Sequence, residues 1–291
     1  MDNTLFSELS YLRNHWIERV LEDYEQERDE LGPSGIKLLQ KESRSAVWNM
    51  CKLLGVDMNG VPGRTCRMLE RYLHKYITIY CSHIDDDEER GNFKRELFAR
   101  IPLLTASCAQ LSAKMSSGST KVNANHVRAC LRTLKLEYSI QEINANAFHV
   151  FKILGFRVPL WTGVEEGQMF ALEIGMPRNM LESVAVIVNS AEFARDRIEQ
   201  CVRGIANDSP GSCEGRPMQS LHLVVGAVVA SARYMAFSEA DPAPRLANLT
   251  SAPPSFISCI ADVILKEILV DSSSSEDVSQ PKKRKITHIN T

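Results

Sequence analysis

Apolar residues recur along this chain at the three- and four-residue spacing of helices, and no stretch shows the strict alternation of a half-buried strand. The densest run is residues 101–115, IPLLTASCAQLSAKM, where Ala106, Ser107, Cys108, Ala109 and Ala113 are mixed with leucines. Small side chains among large ones suit a helix enclosed on several sides. The run's one charge, Lys114, stands at its end, where a cation favours a helix C-terminus and the Ser-Ser-Gly-Ser stretch that follows stops the helix. The pattern returns in residues 221–235, LHLVVGAVVASARYM, with Ser231, Ala232 and Arg233 echoing Ser112, Ala113 and Lys114. Two enclosed helices imply two similar helical units in an all-α protein.

The remaining periodicity supplies their neighbours. Leu12, Trp16, Ile17, Val20, Leu21 and Tyr24 form one stripe of a helix from Leu5 to about Leu31, broken by Gly32-Pro33-Ser34-Gly35. That stripe serves either to pack on the following domain or to meet a partner. A helix over 43–55 is followed by a turn at 60–63 and a helix beginning at Thr65. The five adjacent acids from Asp85 to Glu89 repel one another and read as a solvated loop without a function. Asn123 or Asn125 caps a helix through Leu134, and Ser139 with Glu142 forms a capping box for a helix that ends at Gly155 and Pro159. One or two helices fill 180–206, and another covers SFISCIADVILKEIL near the end. The expected organisation is an N-terminal helix in 1–35, a first helical domain in 36–162, a second in 163–270, and a disordered tail in 271–291.

Composition narrows the function classes. Thirty-four basic against 36 acidic residues leave a formal charge of −2, which offers no strong field for a phosphate backbone, so direct nucleic-acid binding is not expected. Eight dispersed cysteines without a CxxC pair read as reduced, intracellular core thiols. The start has no cationic stretch followed by an apolar one, and no apolar span reaches membrane length, so a soluble protein with no membrane partner is expected. No phosphate-binding loop, dinucleotide fingerprint, nucleophile elbow or zinc-protease pair occurs, which argues against an enzyme. His126 and His149 have no Cys or acidic neighbours at metal spacing, so no metal or cofactor is expected.

The tail carries Lys282, Lys283, Arg284 and Lys285 after Pro281, a cationic run of the nuclear-import type that an import receptor's acidic pockets would take up. Ser209 precedes a proline, Ser273 and Ser274 precede acids, and Ser279 precedes Gln280; each is a minimal phosphorylation pattern. Phosphate near Lys282 would screen the import charges.

An enclosed helix ending in Ala-Lys-Met, followed by a helix ending in FKILGFRVPLWT, resembles the cyclin box. Glu70-Arg71-Tyr72 resembles the Asp/Glu-Arg-Phe signature of that family, and Arg44 stands where the family's arginine pairs with the acid. The resemblance implies an all-α cyclin fold, with an N-terminal cyclin box and a degenerate second cyclin-like repeat. Residues 68–73, 107–116, 131–162 and 224–232 are most similar to the cyclin N-terminal domain-containing protein 1, or crossover site-associated, family of divergent meiotic cyclins. Membership there would imply a nuclear, non-enzymatic protein at crossover sites on meiotic chromosomes, working with a cyclin-dependent kinase 2-like partner and crossover factors of mismatch-repair type.

By position in the motifs, Leu111 and Met115 would supply apolar contact to the kinase, Lys114 would donate to its backbone carbonyls, and Phe151 and Phe156 would extend the surface. Ala147 departs from the pattern: it lies nine residues before Phe156, where kinase-binding cyclins usually carry glutamate. Residues 43–47 likewise replace the Met-Arg-Ala-Ile-Leu docking motif. A kinase-independent scaffold and an ordinary cell-cycle cyclin are the alternatives. A DNA-binding double cyclin fold of the transcription-factor-IIB kind would need a basic face and usually a zinc ribbon, and the sequence offers neither.

Overall fold

The computed structural model describes residues 3–32, 38–116, 122–208, 217–237 and 240–274. Among them it contains twelve α-helices and one short 3-10 turn, and no strand. Helix α1 (Asn3–Leu31) is followed by α2 (Lys41–Leu54), α3 (Val61–Cys81), α4 (Asp87–Met115), α5 (Ala124–Thr133) and α6 (Ile140–Ile153). Then come α7 (Gly163–Glu173), α8 (Leu181–Phe193), α9 (Arg195–Asp208), α10 (Ser220–Tyr234), α11 (Ala243–Leu249) and α12 (Pro254–Ser274).

The buried apolar side chains form two clusters, one built on α2 to α6 and the other on α7 to α12. The two small-residue helices are their centres. The second half of α4 is buried almost without interruption from Leu103 to Ala113 and packs on α2, α3, α5 and α6. Helix α10 is buried from Leu221 to Ala232 and packs on α7, α8 and α12. Its Gly226 permits the closest approach, since a Cβ there would lie 2.4 Å from Ile260 Cγ2 of α12.

Helix α1 joins the second cluster rather than the first that follows it in sequence. Its Ile17, Val20 and Tyr24 are buried there, and it packs on both α3 and α7. Helix α3 begins at Val61, four residues before the expected start at Thr65, because Pro62 is tolerated in a first turn whose N–H groups have no intrahelical partner. The acidic run is a loop only at its start, Asp85 and Asp86. Asp86 caps α4 by accepting from the Glu89 amide at 2.9 Å, and Asp87, Glu88 and Glu89 form the first turn. The positive end of the helix dipole offsets their mutual repulsion. Asn123 caps α5, and Ser139 and Glu142 form the capping box of α6. Helix α12 continues to Ser274, four residues into the segment expected to be tail.

Candidate protein-docking surface

The seam between the two helical units is lined with buried charge, and this lattice fixes the surface above it. Arg44 Nη2 on α2 donates to Glu70 Oε1 on α3 at 2.6 Å, with both side chains buried. Asp196 and Arg195 of α9 close the same group at 3.5 Å from Arg44 and 3.8 Å from Glu70. Burial pushes the Glu70 carboxyl up, against the pull of Arg44 and Arg195. One turn earlier on α3, Arg67 meets Glu27 of α1, Glu166 of α7 at 3.1 Å and the Tyr24 ring at 4.0 Å. Arg71 reaches back to Glu30 of α1 at 2.7 Å. Neighbouring residues of the Glu-Arg-Tyr triplet therefore serve different elements: Glu70 pairs with α2 and α9, Arg71 with α1, and Tyr72 fills the first core.

At the outer end of α4, Leu111 is half-buried against the first core, Lys114 is exposed, and Met115 is 42% exposed. Among the described residues Lys114 makes no hydrogen bond or ion pair. The corresponding end of α10 is different. Arg233 binds Asp262 at 2.7 Å, Asp241 at 2.8 Å and Ser258 Oγ at 2.8 Å, so the second unit satisfies its own terminal cation.

Helix α6 and the turn that follows it contribute aromatic surface. Phe148 and Phe156 are 62% and 56% exposed, and Phe151 is half-buried. The Phe156 ring lies 5.2 Å from Phe151, edge to face, and 6.3 Å from Phe148. Phe156 is held at φ +60°, directly after Gly155 at φ +66°. A left-handed phenylalanine carries a steric cost of roughly 1–2 kcal/mol, and this one turns its ring onto the aromatic group instead of letting the chain run straight on.

Ala147, placed with the kinase contacts by motif position, is 8% exposed and belongs to the interior of the box, so its surface contribution is small. Its neighbour Phe148 takes that outward position. Phe148 lies three residues before Phe151, the helical spacing that puts both on one face, but no motif marks it as a contact. Nothing local in the sequence marks Arg64 or Arg67 either, because their partners lie 40 to 99 residues away.

The remaining sequence candidates fall elsewhere. Ser209, Ser279, Lys282, Lys283, Arg284 and Lys285 lie outside the described residues. Ser273 and Ser274 sit in the last turn of α12. His126 caps its own helix by accepting from the Asn123 amide at 3.3 Å, and His149 packs edge to face on Tyr72 and Tyr76. Burial, with Arg100 and Lys152 nearby, lowers the His149 pKa. Among the described residues no group of three or more His, Cys, Asp or Glu could hold a metal ion. No helix among them is long and apolar enough to cross a membrane. What the surface offers is a flexible thioether and exposed rings, types enriched at protein interfaces, with a free cation beside them.

No protein-family model matches the chain, and no curated protein does. Among solved structures it is similar to a viral cyclin from herpesvirus saimiri, with 12% identity and a TM-score of 0.52, over 86% of this chain and 96% of that one. With its all-helical architecture and two enclosed central helices, the chain has the all-α cyclin fold.

Proposed function

We propose that this protein is a non-catalytic, cyclin-like regulatory subunit that docks a cyclin-dependent kinase 2-like partner through the end of α4 and the aromatic face of α6. The observation that carries the reading is the contrast between the two units: Arg233 is tied to Asp241 and Asp262, whereas the equivalent Lys114 stands exposed beside Met115. A free cation at a helix end can donate to carbonyls of a partner helix, while Phe148, Phe151 and Phe156 supply apolar area. Such a subunit acts by shifting the kinase toward its active arrangement, with no chemistry of its own.

By the sequence resemblance, the setting is the nucleus and the maturation of meiotic crossovers together with mismatch-repair-type factors. An import receptor would read Lys282, Lys283, Arg284 and Lys285. Alanine at those four positions is expected to abolish nuclear accumulation of a fluorescent fusion in transfected cells; unchanged accumulation would remove the nuclear-import role.

The test of the docking reading is co-purification with a cyclin-dependent kinase 2 homologue, followed by a kinase assay. Lys114→Glu is expected to weaken the complex at least tenfold, roughly 1.4 kcal/mol, while costing no more than about 1 kcal/mol of stability through the α4 dipole, because among the described residues Lys114 has no ion pair. Phe156→Asn separates surface from backbone: asparagine tolerates the left-handed region, so stability is expected to stay within about 1 kcal/mol while binding falls at least tenfold. Equal binding by wild type and both variants would sink the docking reading. A second reading, a kinase-independent scaffold, is favoured by Ala147, since its buried methyl cannot accept the hydrogen bond a glutamate would. A folded wild-type protein that captures no kinase supports the scaffold.

A further inference from the structure

Arg64 is 1% exposed, yet among the described residues it forms no ion pair with a carboxylate. A buried guanidinium without a paired anion must be held by oriented dipoles, and the partners of this one lie in two separate segments. Its Nη2 donates to the Ser112 carbonyl at 2.8 Å and to Ser116 Oγ, and its Nε donates to Ser112 Oγ at 3.0 Å. Its Nη1 donates to the Leu160 carbonyl at 2.8 Å. The first set belongs to the negative end of the α4 dipole, where orphan carbonyls need donors. The Leu160 carbonyl belongs to the link between α6 and α7, two residues before Thr162 caps α7.

The positions these bonds hold are those beside the docking surface. Ser112 and Ser116 bracket Lys114 and Met115, and Leu160 follows Phe156 by four residues. We infer that Arg64 is a positioning residue that locks the end of α4 and the α6–α7 link into one surface, setting where Lys114 stands relative to Phe156. This rests on the docking reading only for what the surface binds; the locking itself concerns this chain alone. The planar fork of arginine is needed, because lysine has a single compact head that cannot span both sets of acceptors.

The full-length protein is measured as wild type, Arg64→Met and Arg64→Lys, with Lys114→Glu as the binding control. Amide hydrogen exchange follows residues 113–116 and 157–161, with residues 221–232 of α10 reporting that the fold is intact. Each protein is also titrated with the purified kinase 2 homologue. Arg64→Met is expected to speed exchange at least tenfold in both segments at once, to leave α10 protected, and to weaken kinase binding at least tenfold. Arg64→Lys is expected to restore protection at one segment only.

Unchanged exchange in either segment of Arg64→Met overturns the inference, as does a kinase complex equally tight in wild type and Arg64→Met. If Arg64→Met does not fold, Arg64→Lys decides: wild-type protection at both segments overturns the inference, and protection lost at one supports it. If the wild type captures no kinase, the docking reading fails and the exchange measurement alone decides whether Arg64 locks the two segments.

Discussion

Replacing Arg67 with methionine will remove about 3–5 kcal/mol of folding stability, read as a fall in the urea unfolding midpoint. Arg67 on α3 meets α1 and α7 together, through Glu27, Glu166 and the face of the Tyr24 ring. All four groups are buried. Methionine fills much of the volume of the arginine stem, so the loss comes from charge rather than from a cavity. Two carboxylates are left without their cation in a site that water does not reach. Glu166 has already been pushed up to about 7 by burial, against the pull of Arg67 and the hydrogen bond from Tyr24, and without Arg67 it will hold its proton at neutral pH. Among the described residues Glu27 has no such second support.

The loss is large against a total of roughly 5–15 kcal/mol for a domain. It should be felt first at α1, whose apolar face is committed to the second core while its carboxylates are committed to α3. Adding Glu27→Leu and Glu166→Gln to Arg67→Met should recover most of the loss, because a buried charge group replaced as a whole by matched uncharged residues is often neutral. A loss below about 1 kcal/mol for the single variant would mean that water screens this lattice, and the account of the seam would be wrong.

How much of this was legible beforehand differs from element to element. The two central helices were plain, since only a helix crowded on all sides uses alanine, glycine and serine so freely in a hydrophobic run, and α10 is enclosed where its composition says it must be. The order of Arg44 and Glu70 within a recognisable motif gave their pairing. The first half of α4 was missed because Pro102 interrupts the helical pattern and a run of five acids reads as repulsion. The capping of α4 by Asp86 and the support of the helix dipole are cooperative features that single-residue reasoning discounts.

The docking surface was legible only as a motif. Lys114, Met115, Phe151 and Phe156 could be named, but the freedom of Lys114 becomes apparent only beside Arg233, and the turn that presents Phe156 is a backbone conformation no pattern announces. Least legible was the seam. Arg67 and Glu192 owe their surroundings to the docking of two units and Arg64 to two distant segments of the first, so nothing within several turns of sequence identifies their partners. Gly63, which fell in the expected turn at 60–63, and Gly163, which no pattern marked, are space left for a carboxylate.

That carboxylate gives the second large effect: stability will fall as the pH rises toward 8, and Glu192→Gln will remove much of the fall. Glu192 extends from α8 between the first turns of α3 and α7. A Cβ on Gly63 would lie 1.9 Å from its Oε2, and one on Gly163 would lie 2.3 Å from its Oε1. Part of the side chain remains accessible, but Oε2 is shut from solvent and has no hydrogen-bond partner among the described residues. Burial pushes its pKa up to about 8, Glu166 adds to the rise, and Arg44, Arg195 and Arg67 oppose it.

In the unfolded chain this carboxyl loses its proton in the ordinary carboxylate range, whereas in the folded protein it keeps the proton to about 8. Between those limits the folded state holds more protons, so stability is fully present below the ordinary range and is lost as pH rises through the folded value. Glu166, at about 7, acts in the same direction. Glutamine reproduces the protonated form at every pH. Glu192→Gln should therefore match wild type within about 1 kcal/mol at pH 5 and exceed it by on the order of 4 kcal/mol at pH 8.5. Urea midpoints for the two proteins from pH 5 to 9 decide it. Parallel curves, or a glutamine variant weaker at high pH, would mean that the helix starts and the surrounding arginines stabilise an ionised Glu192. The seam would then be held by a charge rather than by a proton.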